Sequence, residues 1–359
     1  MSKERVLMAM SGGIDSTMSA ILLLEQGYEL VGITFRSWDE TTINTTIPEI
    51  GCCASDAVAE AKKIAQKLGF EHHEYNICEL FKSEVIDNFI NEYLKGRTPN
   101  PCVTCNKHIK WGALLNKADE YGCRYIATGH YAQIGTYNGH HYIKKGADTT
   151  KDQSYFLWRL TKENLSRTLF PLGGYTKQEV RQMAAARGFV ELSQKSESQE
   201  ICFVANNNYR DFLHNNSKEY NSIPQGDFIS TDGKILGKHK GFPNYTIGQR
   251  KGLEIALGKP MYVTKIDAIN NTVTLGNKED LLSNKLEASE YNFTKIAPPY
   301  EPIEVLARVR YRSQGGMAQI QIVDNRVKVI FKNPIDAITP GQSVVFYQDN
   351  DMIGGGIID

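Results

Sequence analysis

The sequence predicts an α/β protein whose N-terminal half forms a parallel sheet and whose C-terminal half is rich in β-strands. Up to about residue 130, strand and helix patterns alternate, which is typical of a parallel sheet covered on both faces. Beyond about residue 222 helical periods disappear, and short β-rich runs follow at roughly regular intervals. The length of 359 residues exceeds one ordinary core and favours two or three domains.

The elements of the N-terminal half follow from apolar periodicity and from the glycines that end each helix. Four short runs predict strands over residues 5–10, 29–35, 70–77 and 125–130. A helical pattern follows the first strand and stops at Gly27, and Ser55 caps a second helix that ends at Gly69. A long helical region is expected between the third and fourth strands.

In the second half, the sequence pattern changes from helical to β-rich after one further helix. Thr176 and Glu179 have the spacing of a capping box, and the helix that they begin ends at Gly188. The later β-rich runs, separated by turn residues, cover residues 261–266, 271–276, 305–311, 318–323, 326–331 and 342–347. Residues 296–302 contain three prolines and are expected to form a hinge into the last unit.

Composition excludes several classes of protein. A hydrophobic content of 41% with 23% charged residues is that of a globular protein, and no apolar run approaches the roughly 18 residues of a membrane span. The N-terminus does not resemble a signal peptide, so we expect a cytoplasmic protein whose seven cysteines stay reduced. Cysteine pairs in such a protein indicate metal binding or catalysis. The formal net charge of zero means that any basic surface is local.

Residues 11–17, Ser-Gly-Gly-Ile-Asp-Ser-Thr, lie between the first strand and the first helix, where α/β sheets bind ligands. Two glycines allow backbone N–H groups to close around an anion, and the following helix presents its positive end. Asp15 fits an anion site when a cation bridges it to phosphate. The alternative is a plain strand–helix turn. A Walker A loop is excluded, since the Gly-Lys-Ser/Thr sequence is missing.

The Ser-Gly-Gly-x-Asp-Ser sequence after an N-terminal strand resembles the pyrophosphate loop (PP-loop) of the ATP pyrophosphatases, which have an adenine-nucleotide α-hydrolase-like fold. Members of that superfamily cleave ATP between its α and β phosphates and adenylate a carbonyl or carboxyl oxygen. The resemblance implies ATP as cofactor, with Mg²⁺. It places ATP on Ala9, Met10, Ser11, Gly12, Gly13, Ile14, Asp15, Ser16, Phe35 and Gly129.

Further motifs resemble, in order, those of the tRNA-specific 2-thiouridylases, which replace the 2-oxygen of the wobble uridine with sulfur. They are GRTPNPCVTCNKHIKW, ATGHYAQ, KDQSYFLW, SESQEICFV, YTIGQRKGL, RVRYR and PGQSVVFYQDNDMIGGGII. The family's architecture implies a catalytic PP-loop domain over residues 1–207, a small central tRNA-binding domain over 208–284 and a C-terminal β-barrel over 285–359. In an alternative division, residues 169–191 pack with the central domain.

Two cysteines carry the chemistry that this resemblance implies. Cys105 matches the family's catalytic cysteine, and Cys202 matches the one that carries the incoming persulfide sulfur. We hypothesise that Cys105 resolves the persulfide, which leaves a Cys105–Cys202 disulfide to be reduced. The plain alternative for each is a small buried hydrophobic residue, and this interpretation is preferred for Cys52, Cys53, Cys78 and Cys123.

Cys102 departs from the commonest pattern of the family, which has Asn-Pro-Asp where this chain has Asn100, Pro101 and Cys102. An unperturbed thiol has a pKa of about 8.5 and cannot replace a carboxylate. The substitution also creates a Cys102-x-x-Cys105 pair. With Cys202 as third ligand, it resembles the iron–sulfur RNA-thiolation enzymes of the same superfamily. Persulfide relay, a possible iron–sulfur cluster and simple packing of Cys102 stay open.

The predicted partners are tRNA and a protein that donates or relays persulfide sulfur. No association with a membrane is predicted. Between residues 234 and 265 there are seven Lys or Arg side chains against one acid, which suits phosphate binding. Arg308, Arg310 and Arg312 alternate as in a strand and would share one face. By resemblance, the tRNA-contacting positions are Asn100, Pro101, Cys102, Lys151, Asp152, Gln153, Tyr311 and Arg312. His130 is expected to be structural.

The function predicted from the sequence is that of an ATP-dependent tRNA-uridine 2-sulfurtransferase. Uridine O2 is adenylated with release of pyrophosphate, and persulfide sulfur then displaces AMP. Two competitors remain: another PP-loop ATP pyrophosphatase ligase, which needs no cysteines, and a non-catalytic RNA-binding protein, which would tolerate loss of Asp15.

Overall fold

The structure is a computed structural model that describes residues 3–37, 55–195, 201–204, 207–255 and 258–359. The chain divides into two compact units. The first unit contains residues 1–85, 102–209 and 350–353. The second unit contains residues 86–101, 210–349 and 354–359.

The first unit is built on a five-stranded parallel sheet with the order β3-β2-β1-β4-β7. Its strands are β1 (Arg5–Ala9), β2 (Glu29–Arg36), β3 (Glu71–Asn76), β4 (Tyr125–Ala127) and β7 (Thr168–Leu169). In the register, Leu7 of β1 lies opposite Val31 of β2 and Ile126 of β4. Because β1 is central and all pairs are parallel, the segments that follow β1, β2 and β4 meet at one edge of the sheet, the one formed by the carboxyl ends of the strands.

Helices cover this sheet and connect its strands. They are α1 (Ile14–Glu25), α2 (Ser55–Leu68), α3 (Cys78–Phe81), α5 (Pro101–Cys105), α6 (Leu114–Glu120), α7 (Lys162–Ser166), α8 (Lys177–Ala186) and α9 (Val190–Gln194). Two π-helical segments, Lys82–Ile86 and Asn106–Ala113, and one 3₁₀ turn, Ser154–Leu157, add to them.

The core of the first unit joins β1 to α1 and α8. Val6 and Met18 are fully buried in one cluster with Val180 and Ala184 of α8. The capping box predicted for α8 is confirmed, since Glu179 N donates to Thr176 Oγ1 and Thr176 N donates to the Glu179 carboxylate. The cap fixes where α8 begins and therefore places Lys177 in its first turn.

A hairpin of β5 (Ala132–Tyr137) and β6 (His140–Lys145) completes the first unit, and Lys144 pairs with Asp351. The sequence patterns did not predict this hairpin. Its turn at Asn138 and Gly139 has positive φ at both residues, as a type I′ turn requires.

The second unit contains a four-stranded sheet with the order β10-β11-β8-β9. Its strands are β8 (Gly226–Ser230), β9 (Ile235–His239), β10 (Tyr262–Asp267) and β11 (Thr272–Gly276). Phe228, Val263 and Val273 are fully buried in its core. The helices of this unit are α4 (Asp87–Leu94), α10 (Tyr209–Asn216) and α11 (Lys218–Ser222), and Phe89 of α4 contacts Phe212 of α10 edge to face.

A six-stranded β-barrel ends the chain. Its strands are β12 (Leu282–Phe293), β13 (Ile303–Arg308), β14 (Gly316–Val323), β15 (Arg326–Asp336), β16 (Ser343–Gln348) and β17 (Asp351–Ile358). They follow the order β12-β15-β14-β13-β16-β17, and pairing of Ala288 with Ile358 closes the barrel. Closure pairs β12 with β15 on one side and with β17 on the other.

The predicted fold class is confirmed: a parallel-sheet α/β part is followed, after α11, by β-structure that includes a barrel. Among the described helices, none combines the length and the apolarity needed to cross a bilayer.

Candidate functional site

The segment after β1 is held at the edge of the parallel sheet by bonds to β2. Met10 N donates to Ile33 O at 2.8 Å, and Thr34 Oγ1 donates to Met10 O at 2.8 Å. Phe35, which the sequence placed at the nucleotide, is half-buried near the end of β2. The predicted ATP-binding residues of β1 and β2 therefore lie on neighbouring strands.

The Ser-Gly-Gly turn is closed by its own hydroxyl groups. Ser16 Oγ and Thr17 Oγ1 both donate to Gly13 O, at 3.0 and 2.9 Å, and Ser11 N donates to Ser16 Oγ at 3.2 Å. Gly13 is the N-cap of α1 and offers no side-chain acceptor to the first helical turn. Because the first N–H groups of a helix lack intrahelical partners, this end suits an anion such as phosphate.

Two glycines are required by close approach. Gly12 has φ of +69°, and a Cβ built there would lie 2.5 Å from Ala57 O. Gly129, which follows β4, brings its backbone against the start of α1, where a Cβ would lie 3.0 Å from the carbonyl carbon and from Cβ of Asp15. Both positions exclude larger side chains, and the two predicted nucleotide segments meet at Asp15.

Asp15 is the centre of the polar contacts at this edge of the sheet. Lys177 Nζ donates to Asp15 Oδ1 at 2.7 Å and to Asp15 Oδ2 at 2.8 Å. Tyr131 OH donates to Asp15 Oδ1 at 2.7 Å. Lys177 and Tyr131 are both buried. A buried ammonium requires an opposite charge, and Asp15 supplies it.

Sequence reasoning missed Lys177 and Tyr131 as site residues. The capping box at Thr176 placed Lys177 at the start of a helix, and Tyr131 follows the ATGH motif by one residue. Neither signal shows that both side chains reach Asp15, which lies 162 positions before Lys177 and 116 before Tyr131.

The Lys151–Gln153 segment, predicted to contact tRNA, lies in the same unit as this site. Lys151 is half-buried, and Asp152 is buried, where its carboxylate accepts from Gly146 N and Ser154 N, each at 3.1 Å. Gln153 Oε1 accepts from Tyr131 N at 2.9 Å. The carboxylate of Asp152 therefore stabilises the backbone of its own loop.

The two predicted catalytic cysteines belong to the first unit and are half-buried, whereas Cys102 is exposed. Cys105 is the last residue of α5, directly before the π-helical segment Asn106–Ala113. The segment of Cys202 is fixed by Phe203, whose buried ring contacts Phe81 edge to face at 5.8 Å. Single π-helical turns often occur at functional sites.

The other cysteines have different environments. Cys78 and Cys123 are buried, and burial raises the pKa of the Cys123 thiol. The packing role expected for both fits this placement. Cys52 and Cys53 lie outside the described residues.

A protein metal centre generally needs several donor side chains grouped around one point. Within the described parts of the chain, no three His, Cys, Asp or Glu side chains are grouped so that they could hold a metal ion. Cys102, Cys105 and Cys202 are all described, so this conformation does not gather them into a three-thiolate site. A single carboxylate such as that of Asp15 is enough for Mg²⁺, because this ion commonly binds one carboxylate together with phosphates and water.

His130 is buried beside the site and is held by two bonds. Lys110 Nζ lies 3.3 Å from His130 Nε2, and Thr128 Oγ1 lies 2.7 Å from His130 Nδ1. An ammonium has no lone pair, so Nε2 accepts and Nδ1 carries the proton. Burial, and then the charge of Lys110, lower the pKa of His130 well below its ordinary value. A neutral imidazole that packs on Trp111 fits the structural role expected for it.

The prediction of three alternating arginines on one face is wrong beyond Arg308. Strand β13 ends at Arg308, and the following residues turn, because Gly315 with φ of +81° closes a loop back to β14. Arg308 Nε donates to Ser313 O at 3.0 Å, and Arg310 Nη2 donates to Ala337 O at 2.8 Å. Arg312 is exposed and Tyr311 half-exposed.

Asn100 and Pro101, also predicted to contact tRNA, belong to the second unit. Their loop is held by Gln342, whose Nε2 donates to Thr98 O and Pro99 O at 3.0 and 2.9 Å. Asn100 is half-buried and Pro101 is buried.

Three family models match the chain in succession. They are described as the tRNA methyl transferase HUP domain over residues 4–206, the tRNA methyl transferase PRC-barrel domain over residues 210–277 and the Aminomethyltransferase beta-barrel domain over residues 283–358. The first alone covers more than half of the chain.

Curated relatives match the chain along its whole length. The tRNA-specific 2-thiouridylase of Cytophaga hutchinsonii is 48% identical over 362 residues, which cover 99% of this chain and 97% of the relative. The tRNA-specific 2-thiouridylase of Halothermothrix orenii is 50% identical over 358 residues, 99% of each chain. The chain belongs to the tRNA-specific 2-thiouridylase family.

The family models describe methyl transfer, whereas these relatives are named for thiolation. The tRNA-specific 2-thiouridylase of Acetivibrio thermocellus, 48% identical over 362 residues and covered completely in both chains, agrees with the other two relatives. Full coverage includes the pyrophosphate loop, both predicted catalytic cysteines and the barrel. The resemblance drawn from the ordered motifs is therefore confirmed.

Proposed function

We propose that this protein catalyses ATP-dependent 2-thiolation of a tRNA uridine, as its relatives are named to do. The observation that carries the proposal is the Gly12–Gly13 turn with Asp15 at the edge of the sheet, in a member of the thiouridylase family. An enzyme that activates an RNA oxygen with ATP needs this kind of phosphate site. The sulfur chemistry is proposed for Cys105 and Cys202.

In the first step, uridine O2 attacks the α-phosphate of ATP, and the bond between the α and β phosphates breaks. The residues proposed to hold ATP are those of the loop from Ala9 to Ser16, with Phe35 and Gly129. Backbone N–H groups at the start of α1 would bind the leaving pyrophosphate. Lys177 fixes Asp15 and adds positive charge beside the loop.

Asp15 is the residue proposed to hold Mg²⁺ with ATP, where the ion would neutralise charge on the phosphates. One of its two oxygens accepts from both Lys177 and Tyr131. Occupancy by a divalent ion therefore requires these donors to give way or to turn toward phosphate.

In the second step, the terminal sulfur of a persulfide on Cys202 attacks C2 of the adenylated uridine, and AMP leaves. Cys105 thiolate then attacks the inner sulfur of Cys202 and breaks the persulfide S–S bond. The two electrons of that bond remain with the sulfur on the base, and a Cys105–Cys202 disulfide forms. A thiol reductant restores both cysteines, and a persulfide-bearing protein recharges Cys202.

Substrate tRNA is proposed to contact eight positions of the chain. The positions are Asn100, Pro101, Cys102, Lys151, Asp152, Gln153, Tyr311 and Arg312. Support is strongest for Arg312, which is exposed, and weakest for Asp152, whose buried carboxylate already accepts three hydrogen bonds. Contacts from Asp152 would use its backbone.

The division into a catalytic domain over 1–207, a central domain over 208–284 and a barrel over 285–359 is also proposed. It is supported by the limits of the three matched family models. The proposed location is the cytoplasm, where tRNA and reduced thiols are both available.

The proposal is tested by replacing Cys105→Ser and measuring 2-thiouridine in digested tRNA by mass spectrometry. Thiolation should be abolished, while tRNA binding and RNA-dependent release of pyrophosphate continue. The matched control is Cys123→Ser, a buried cysteine of the same unit that the mechanism does not use. Full thiolation by Cys105→Ser would refute the assignment of Cys105 as a catalytic cysteine.

Two further variants separate the competing functions. ATP-dependent pyrophosphate release with a product that survives Cys202→Ala would indicate a ligase that needs no thiol. RNA binding without any pyrophosphate release, unchanged in Asp15→Ala, would indicate a non-catalytic RNA-binding protein.

A further inference from the structure

Tyr131 connects the Lys151–Gln153 segment to the pyrophosphate loop. Gln153 makes two hydrogen bonds to the backbone of Tyr131. Gln153 N donates to Tyr131 O, and Tyr131 N donates to Gln153 Oε1, each at 2.9 Å. The hydroxyl of Tyr131 reaches Asp15 Oδ1 at 2.7 Å. A displacement of Gln153 therefore moves a side chain that ends on the carboxylate of the loop.

A second route starts at Asp148, three residues before this segment, and ends on the same carboxylate. Lys177 N donates to Asp148 Oδ2 at 2.9 Å, and Lys177 Nζ donates to both oxygens of Asp15. Asp148 is buried and also accepts from Thr150 N and Oγ1 at 2.9 and 2.7 Å. Burial acts to raise the pKa of Asp148, but these bonds outweigh it, so the pKa is lowered and the carboxylate stays charged.

The segment between these two contacts is internally braced. The buried carboxylate of Asp152 accepts from Gly146 N, Ser154 N and Ser154 Oγ, at 3.1, 3.1 and 3.0 Å. Gly146 itself lies against Tyr131, where a Cβ would come within 2.8 Å of Tyr131 O. Close-packed interiors transmit displacements, since they offer few voids that could absorb them.

We propose that Tyr131 is a positioning residue that couples RNA binding at Lys151–Gln153 to ATP binding at Asp15. This inference rests on the proposed function, in which that segment contacts tRNA. RNA that displaces the segment moves Tyr131 and Lys177, and the Asp15 carboxylate that they hold then becomes available to the Mg²⁺ that accompanies the nucleotide. By linkage, ATP strengthens RNA binding by the same factor.

The test measures the affinity for α,β-methylene ATP, which cannot be cleaved at the scissile bond, with and without the anticodon stem-loop of a substrate tRNA. The wild-type protein should bind the nucleotide about 5- to 150-fold more tightly when RNA is bound. In Tyr131→Phe, which keeps the ring and removes the hydroxyl, this ratio should fall toward one, whatever the affinity for the nucleotide alone.

The matched control is Tyr75→Phe, which removes a hydroxyl that pairs with Tyr121 OH at 2.7 Å on the edge strand β3. Its ratio should equal that of the wild type. A wild-type ratio of one, or an undiminished ratio in Tyr131→Phe, would overturn the coupling. Because no sulfur transfer is measured, this failure differs from failure of the proposed function, which would show as absent 2-thiouridine from the wild-type enzyme.

Discussion

Lys177 donates to both carboxylate oxygens of Asp15, at 2.7 and 2.8 Å, and so ties the start of α8 to the first turn of α1. The far ends of the same two helices are joined by a second ion pair, in which Arg187 donates to both oxygens of Glu25 at 2.9 and 3.0 Å. The pairs differ in surroundings. Only 9% of the Lys177 side chain is exposed, whereas Arg187 and Glu25 lie at the surface.

These two pairs provide a matched comparison. We expect Lys177→Met to destabilise the fold by about 1–3 kcal/mol, less than the ~3–5 kcal/mol of a fully buried pair, because Asp15 is about one-third exposed. It should also slow RNA-dependent pyrophosphate release by about 100-fold or more, since a positioned charge is lost. Arg187→Met should cost below about 1 kcal/mol and leave pyrophosphate release intact.

Denaturant unfolding and a pyrophosphate assay measure both effects. Equal rates of pyrophosphate release in the two variants would mean that Lys177 serves the fold alone. Rescue by Lys177→Arg is not expected, because the longer guanidinium does not fit a site where the ammonium is buried.

The two loop glycines should respond differently to alanine. Gly12→Ala places a Cβ 2.5 Å from Ala57 O at a φ of +69°, so both strain and a backbone clash oppose it. We expect a loss of at least about 1–2 kcal/mol in stability and a strong loss of ATP affinity. Gly13→Ala has ordinary φ and meets nothing closer than 3.4 Å, so it should be nearly as stable as the wild type. Denaturant unfolding compares the stabilities of the two variants, and calorimetry measures ATP binding by Gly12→Ala. Equal stabilities, or wild-type ATP affinity in Gly12→Ala, would contradict the role of the turn.

Much of this fold could be predicted because its signals are local. The first two strands, the helix between them and the capping box of α8 are each set by neighbouring residues, and all appear in the structure. The pyrophosphate loop was found for the same reason. Its partners were not: Lys177 lies 162 positions from Asp15, and no local pattern records which charges meet in the folded protein.

The arginines show the opposite case, in which a local sequence pattern was present but predicted the wrong structure. Alternation from Arg308 to Arg312 satisfies the period of a strand, yet β13 ends at Arg308. Tertiary structure decides instead, since Arg310 donates to Ile247 O and Ala337 O and is used for packing within its unit. A period of two over three residues is too short a signal to exclude a turn.

The role of Cys102 can be tested by elemental analysis. We expect protein purified without oxygen to lack stoichiometric iron and acid-labile sulfide, because the described residues do not gather Cys102 with Cys105 and Cys202 as metal ligands. Thiolation should then persist in Cys102→Ala, with Cys78→Ala as the buried control. Stoichiometric iron that disappears with Cys102 would make the three cysteines cluster ligands and replace the persulfide relay.

His130 should make stability depend on pH. In the folded protein, burial and then the charge of Lys110 lower its pKa well below the ordinary value, whereas the unfolded chain titrates near pH 6.5. Between the folded and unfolded pKa values, the unfolded chain binds more protons, so stability falls as pH decreases below about 6.5. The slope from one histidine reaches at most about 1.4 kcal/mol per pH unit.

Unfolding free energies of the wild type and of His130→Asn, measured between about pH 5 and pH 8, isolate this contribution. His72 and His239 also have lowered pKa values because of burial, so the wild-type curve alone is not diagnostic. The difference between the two curves should shrink toward low pH, because acid removes the advantage of a neutral His130. A constant difference for His130→Asn would mean that His130 is already solvated in the native protein.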